Sequence, residues 1–209
     1  MLAIIVEYLN YCEAINSLEN GESRSSKRNH NCLQIYDDIA NDIGIKPKIY
    51  NYGKIAEEDR KYFANEKIIG NEKSPSFQIN DIPILLDTWN SSRIIDNFKN
   101  INDDNKFDGE SYSYNIENYY LSPMNIIICD GGNHSQFAAR FKHEGKTIIK
   151  YKYDYSSLYD QIFFDGLAYR RKDDNNSPIK MKYEQDLLFY SGVIFELGRH
   201  LLKYQKTDC

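Results

Sequence analysis

Apolar residues in the first 43 positions recur every three or four residues, which is the spacing of an α-helix that packs on one side. Residues 2–19 therefore predict a helix, with the acidic side chains outside its apolar stripe. The stripe consists of Leu2, Ile5, Leu9, Cys12, Ile15 and Leu18, and the acids are Glu7, Glu13 and Glu19. A second stripe from Cys32 to Ile43 predicts a helix that ends at Gly44. Residues 54–69 suit a third helix.

Farther along the chain, short apolar runs and two-residue alternation predict strands between further helices. The predicted strands are 82–86, 112–116, 125–129, 147–153 and 167–170. The predicted helices are 91–98, 135–143, 156–164 and 183–203. The expected fold class is α+β (mixed α/β), a small sheet flanked by helices with a long C-terminal helix. We expect a helical N-terminal region, 1–78, and an α/β core, 79–209, to form one compact unit.

Composition narrows the class of protein. Hydrophobic residues make up 41% of the 209 positions and aromatic residues 14%, which is enough to bury a core. A net charge of −5 argues against a nonspecific nucleic-acid coat, which needs a basic face. The four cysteines form no C-x-x-C pair, and we see neither a secretory leader nor a membrane-spanning apolar run. We therefore expect a reduced, cytoplasmic protein without a membrane partner.

The segment Ile126–Phe141 combines an apolar run, an acid, two glycines and a helical pattern. Gly131 and Gly132 allow positive φ and let a ligand approach bare backbone. Asn133 or Ser135 can cap the helix that follows, whose N-terminus carries partial positive charge. Strand, glycine turn and helix N-terminus in this order predict a phosphate-binding turn.

Two side chains at this turn carry chemistry. His134 can hold or move a proton near neutral pH, and Asp130 can orient it or hold a metal ion. They are the catalytic candidates, for phosphoryl transfer or for hydrolysis of a nucleotide or phosphodiester. A weaker alternative adds His143 to this pair as a metal-ion site, and another pairs Cys129 with His134 as a thiol nucleophile.

The same segment resembles the ParB/sulfiredoxin-like superfamily, in which a glycine-containing polar box follows a strand, opens a helix with small residues and binds nucleotide phosphates. Gly132-Asn133-His134-Ser135 matches the box in position, and Ala138-Ala139 resembles the small residues of the helix. The resemblance covers about residues 123–155. It implies a nucleotide with Mg²⁺, or a nucleic-acid end, as the ligand.

One position departs from the superfamily pattern. Ser135 stands where the superfamily usually has an arginine that grips phosphate as a planar fork. Arg140, a little over one turn along the same helix, is the candidate substitute. The departure weakens the case for catalysis more than the case for the fold. The chain also resembles a group of uncharacterised bacterial proteins marked by Gly-Gly-Asn-His-Ser, and that likeness implies little about activity.

Three alternatives remain open. In the first, the segment Asp130–Ser135 is an ordinary glycine turn with a surface histidine. In the second, the protein is a catalytically silent interaction module, such as an inhibitor or subunit of a bacterial defence or toxin–antitoxin assembly. Its abundant tyrosines and acidic balance favour this alternative. In the third, the protein is a metal-dependent nuclease. Glu196 and His200, one helical turn apart, could reach the turn from the last helix, but a solvated face explains them more simply.

Overall fold

A computed structural model of the chain describes residues 1–21, 31–52, 73–173 and 175–207. The helix predicted at 54–69 lies outside the described residues. The helices are α1 (Leu2–Asn20), α2 (Asn31–Asp42), α3 (Ser91–Asn100), α4 (Asn133–Lys142), α5 (Leu158–Gln161) and α6 (Gln185–Thr207). The strands are β1 (Lys48–Asn51), β2 (Ser76–Gln78), β3 (Ile84–Leu85), β4 (Glu117–Ser122), β5 (Ile126–Gly131), β6 (Lys146–Ile148), β7 (Tyr151–Asp154), β8 (Ile162–Phe164) and β9 (Tyr169–Arg171).

The main sheet contains five strands in the order β1-β7-β4-β5-β3. Strand β5 pairs antiparallel with β4 on one side and parallel with β3 on the other. Strand β7 pairs parallel with β4 and antiparallel with β1 at the far edge. Strands β2 and β6 form a separate antiparallel pair, as do β8 and β9. Because β3 and β5 are parallel, both chains leave the sheet at the same edge, where α3 and α4 begin.

Helices cover both faces of this sheet. Successive side chains of a strand point to opposite faces, and Ile128 and Ile127 of β5 accordingly belong to two different hydrophobic clusters. The first cluster contains residues of α1, α2 and α6, and the second contains residues of α3 and α4. Burial on both faces explains why β5 reads as a continuous apolar run in the sequence.

Helix α1 covers the edge of the sheet at β3. The side-chain amide of Asn10 donates to the carbonyl oxygen of Ile84 at 2.8 Å, and its Oδ1 accepts from the backbone N–H of Leu86 at 2.9 Å. These are the two bonds that a further strand would make, so a helix side chain closes an edge that would otherwise be open for pairing.

The buried side of α1 differs from the stripe predicted from its spacing. The buried residues are Val6, Leu9, Asn10, Glu13, Ala14 and Ser17. Ile15 and Leu18, which were predicted to face inward, are about half exposed, whereas Glu13 is buried. Apolar residues occur on more than one side of α1, so spacing alone does not select the packed side. The tertiary contacts of α1 with β3, α3 and α6 decide it instead.

The segment predicted as a strand at 112–116 contains a short 3₁₀ turn, Ser113–Asn115, and the strand begins only at Glu117. The alternation of apolar residues at 112–116 gave a wrong prediction because Tyr112 and Tyr114 are both exposed and contact each other rather than a sheet.

Two other segments differ in extent from their predictions. The helix predicted at 156–164 ends at Gln161 and runs directly into β8. The single strand predicted at 147–153 is divided, and its two parts, β6 and β7, belong to different sheets.

The structure confirms the α+β class, with an N-terminal helix and a long C-terminal one. The first 78 residues also supply β1 and β2, which were not predicted. Within the described residues, no helix combines the length and the apolar character that crossing a membrane requires.

Candidate functional site

Two parallel strand–helix units lie side by side and form a crevice at one edge of the sheet. Ile84 and Leu85 of β3 pair with Ile127 and Ile128 of β5, and each strand then leads through a short loop into a helix. The N-termini of α3 and α4 therefore lie at the carboxyl ends of neighbouring strands. In open α/β sheets this edge is where ligands commonly bind.

The glycines of the predicted turn are required by the space around them. Gly132 precedes α4 with a φ of 82°. A Cβ there would lie 2.6 Å from Cδ1 of Ile116, and one at Gly131 would lie 2.7 Å from the carbonyl oxygen of Asn115. The turn thus packs its bare backbone against the loop before β4, and no larger residue fits without displacing that loop.

Neither of the predicted capping residues is the N-cap of α4, because that position is Gly132, which has no side chain to accept a hydrogen bond. Ser135 Oγ donates to the carbonyl oxygen of Gly132 at 3.0 Å. Asn133 is turned toward the neighbouring loop, where its Oδ1 accepts from the backbone N–H of Asp87 at 2.9 Å. The side chains of Asn133 and Ser135 therefore make hydrogen bonds other than the predicted caps.

His134 connects the two loops of the crevice. Its Nε2 accepts from the backbone N–H of Asn90 at 3.1 Å, and its ring lies edge-on to Trp89 with 5.4 Å between the centroids. Together with Asn133, it fixes the first turn of α4 to the loop between β3 and α3.

The imidazole of His134 is neutral at physiological pH. The residue is only 6% exposed. Burial lowers its pKa from 6.5 to about 4, and the nearby guanidinium of Arg93 adds to the effect. An Nε2 that accepts a hydrogen bond carries no proton, so the proton of the neutral ring lies on Nδ1. In this conformation His134 positions backbone, and its accepting nitrogen is not available as a base.

Arg93 of α3 is a cation at the crevice that the sequence interpretation missed. Its guanidinium lies over the ring of Trp89, 5.2 Å from the centroid, and the side chain is exposed to solvent. Arg93 is close enough to His134 to lower its pKa. The only signal in the sequence was its position in the first turn of a predicted helix, which is too common to single out a residue.

Two carboxylates lie at the ends of the paired strands. Asp87 and Asp130 each stand two residues beyond the last paired residues, Leu85 and Ile128. Asp87 is buried and Asp130 is exposed. Both are near Cys129, because burial first and then these two carboxylates raise the pKa of its thiol well above the ordinary value. Cys129 is therefore an inert buried thiol and not a nucleophile.

A magnesium ion could use this pair of carboxylates, since Mg²⁺ commonly takes one or two carboxylates and completes its shell with water and phosphate. Among the described residues there is no group of three or more His, Cys, Asp or Glu side chains with the geometry to hold a metal ion. His143, the third member of the alternative metal-ion site, contacts Asn80 at 2.6 Å through Nδ1, at the far end of α4 from Asp130 and His134.

Arg140 does not reach the turn. Its guanidinium is buried and donates to the carbonyl oxygens of Ile79, at 2.5 Å, and Ile82, at 3.0 Å, and it forms an ion pair with Glu7. These partners precede β3, whereas the turn follows β5 at the opposite end of the parallel pair. Arg140 therefore does not lie where the resemblance would require an arginine in place of Ser135.

A cavity of about 250 Å³ opens beside the first turn of α4. Its lining consists of Asn97, Asn100, Asn105, Asn115, Lys106, Tyr112, Ser135, Ile101, Phe107 and Ile116. The last three are buried and form an apolar floor, while the amides, the ammonium and the phenol lie nearer solvent. Among the described residues, no carboxylate lines this cavity, although the chain as a whole is acidic. Ser135 belongs both to the cavity and to the turn.

A buried amide network behind the turn was also not predicted. Gln136 accepts from Thr147 Oγ1 at 2.6 Å and from Asn118 Nδ2 at 3.1 Å, and it donates to Cys129 Sγ at 3.0 Å. All four residues are buried, and they join α4 to β4, β5 and β6. The network holds the N-terminal turn of α4 in place, and only a contact across the fold could have revealed it.

The polar groups noted on α6 are also structural. Glu196 accepts from the backbone N–H of Phe164 at 2.9 Å and pairs with Arg199, which donates to the carbonyl oxygen of Ile162. They attach α6 to β8 and take no part in the crevice.

Comparison with models of protein families gives a match over almost the whole chain. A model described as a family of unknown function, DUF6710, matches residues 1–207. Neither the comparison with curated proteins nor the comparison with solved structures gave a match.

Proposed function

The chain belongs to this family of unknown function, and we propose that it binds a nucleotide or the phosphorylated end of a nucleic acid in the crevice. The observation that carries the proposal is the N-terminus of α4. Its N-cap residue is Gly132, which has no capping side chain, and the terminus lies at the carboxyl ends of two parallel strands. Such a terminus offers N–H donors and partial positive charge to a phosphate.

Arg93 supports the same ligand. It lies beside the first turn of α4 and adds a full positive charge to the partial charge of the helix terminus. A planar guanidinium matches two phosphate oxygens, which is the role that the superfamily assigns to the arginine replaced by Ser135.

The cavity next to Ser135 supports a ligand larger than inorganic phosphate. Its amides offer both donors and acceptors, and its apolar floor suits one face of a ring. In the proposed complex the phosphates lie at the turn, and the base or ribose occupies the cavity.

Asp87 and Asp130 support a requirement for Mg²⁺. Mg²⁺ commonly takes one or two carboxylates together with phosphate oxygens, and these two residues lie at the ends of the paired strands. Binding is the core of the proposal. If turnover accompanies it, the exposed Asp130 is the acid–base candidate, because His134 is neutral and its Nε2 is occupied. We place the protein in the reducing cytoplasm, a location that suits cysteines outside disulfides such as Cys12, Cys32 and Cys129.

A nucleotide panel with and without Mg²⁺ tests the proposal by calorimetry and thermal unfolding. A ligand present at 100 times its Kd adds about 2.7 kcal/mol of stability and raises Tm by roughly 5–10 °C in a domain of this size. Arg93→Gln should weaken binding about tenfold, the loss of one charge-assisted contact. Lys99→Gln, which removes the same charge from the other end of α3, is the matched control. Absence of any stabilisation at millimolar nucleotide with Mg²⁺ would refute the proposal.

A second candidate function is a catalytically silent interaction module, such as an inhibitor or subunit of a larger assembly. The specific observation in its favour is the run of exposed large apolar side chains on α1. It predicts that the protein retains a protein partner during purification, and that Arg93→Gln retains this partner equally well.

A further inference from the structure

Helix α1 presents a second apolar side to solvent. Its packed side contacts β3, α3 and α6. The large apolar residues on or directly before this helix that remain 42–81% exposed are Met1, Ile4, Tyr8, Tyr11, Ile15 and Leu18. A helix that is apolar on opposite sides is stable in water when both sides are covered. The sheet and its neighbouring helices cover one of them.

The exposed residues follow a seven-residue repeat. Met1, Tyr8 and Ile15 occupy one set of positions, Ile4, Tyr11 and Leu18 lie three residues after each of them, and the six define the outer seam. Alternating steps of three and four residues are the pattern of a helix that packs lengthwise against another helix. The buried residues of α1 lie on the opposite side of this repeat, so the outer seam is separate from the packed side.

The outer seam is complementary to itself when two copies run antiparallel. In that register Ile4 of one copy meets Ile15 of the second, Tyr8 meets Tyr11, and Met1 meets Leu18. Each layer then joins residues of similar shape, and a two-fold axis passes near the middle of the helix. No such match is required of a helix that binds an unrelated partner.

The charges on α1 permit the same arrangement. Glu7 is neutralised by Arg140, and Glu13 is buried on the packed side. Glu19, near the end of the helix, would lie beside the N-terminus of the second copy, whose partial positive charge favours an acid. A parallel arrangement would bring the two Glu19 side chains together instead.

Neighbouring side chains widen this surface. Tyr8 lies against Tyr190 of α6, and Tyr11 lies edge-on to Phe137 of α4, so both rings are held while about half exposed. Phe141 of α4 is 56% exposed and lines an open groove of about 470 Å³ together with Tyr11. We infer that α1 forms a homodimer interface, in which the outer seams of two copies pack antiparallel.

Sedimentation and light scattering of the full chain test the dimer. The wild type should be a dimer at about 10–50 µM. Ile15→Glu places two charges in symmetric layers of the interface and should weaken association by about 100-fold or more. Asn16→Glu introduces the same charge at the adjacent exposed position outside the outer seam and should leave the dimer intact. A monomeric wild type, or a dimer that survives Ile15→Glu, overturns the inference.

Cysteine crosslinking tests the orientation. In a Cys12→Ser, Cys209→Ser background, Cys32 and Cys129 remain but are buried. The double variant Ile4→Cys, Ile15→Cys should form a covalent dimer under glutathione disulfide, and each single variant should not. The two positions are about 16 Å apart on one helix, too far for a disulfide within a chain. Crosslinking of either single variant indicates parallel packing, and no crosslink in the double variant indicates a different interface; both outcomes overturn the inference.

Discussion

At the scale of single residues, the crevice depends on side chains that position backbone. Asn133 and His134 were predicted as a cap and a proton carrier, and both instead accept hydrogen bonds from the loop between β3 and α3. Their presence at the end of a strand could be seen in the sequence. Their partners, Asp87 and Asn90, are more than 40 residues away, and nothing in the local pattern connects them.

The stability of the protein should depend on the protonation of His134. Its folded pKa, about 4, lies below the ordinary 6.5, so the unfolded chain takes up the proton first as pH falls. The contribution of the neutral imidazole to the free energy of unfolding is complete above about pH 6.5. It is lost as the pH falls from 6.5 to 4, and the loss is about 3 kcal/mol. Urea unfolding at pH 7, 5.5 and 4 measures this loss. His134→Gln does not titrate, so the difference between wild type and variant should shrink as pH falls; a constant difference would contradict the expectation.

Arg140 is expected to act on stability rather than on ligand binding. Arg140→Ala leaves Glu7 unpaired and two backbone carbonyls without their donor, which should cost about 3–5 kcal/mol. The matched control is Arg171→Ala, which removes the half-exposed ion pair with Asp42 and should cost about 1 kcal/mol or less. Chemical denaturation compares the two. Equal losses would mean that the buried arginine is not a structural tie.

At the scale of secondary-structure elements, the sequence predicted the type of each element better than the contacts that it makes with other elements. The apolar run of β5, the terminal helix α6 and the glycine turn between β5 and α4 are all found. The spacing of α1 predicted a helix but not which side of it is buried, because apolar residues occur on two sides. Tyr112 and Tyr114 alternate without forming a strand, since both lie exposed in a turn. The spacing of apolar residues indicates the local secondary structure, whereas tertiary contacts decide which side of an element is buried.

Asn10 should be the most sensitive polar position of α1. Asn10→Ala removes both hydrogen bonds to the β3 edge and leaves two buried backbone groups without partners, a loss of about 2–4 kcal/mol. Asn16→Ala, at an exposed position on the same helix, should change stability by about 0.5 kcal/mol or less. Thermal unfolding of the wild type and of the two variants measures these changes in stability. If the two substitutions cost the same, Asn10 does not close the edge of the sheet.

At the scale of the whole molecule, the position of the crevice follows from topology. Two parallel strand–helix units bring Gly132, Asp87 and Arg93 to one edge of the sheet from distant parts of the chain. The sequence contained the β5–α4 unit in recognisable form. It also predicted the β3–α3 unit, as a strand at 82–86 and a helix at 91–98, but the pairing of β3 with β5 is nonlocal and no local pattern shows it. The elements of the candidate site were therefore predictable, and the position of Arg93 beside the turn was not.

The proposed dimer makes unfolding depend on protein concentration. If two chains unfold from one dimer, a 100-fold rise in concentration adds about 2.7 kcal/mol per dimer, and Tm should rise by roughly 3–5 °C. Calorimetry at about 5 and 500 µM measures the shift for the wild type. Ile15→Glu removes the outer seam of α1 but not its packed side, so its Tm should be independent of concentration. Since the crevice lies at the ends of β3 and β5, saturating nucleotide should raise Tm in both proteins by similar amounts, which separates dimer formation from ligand binding.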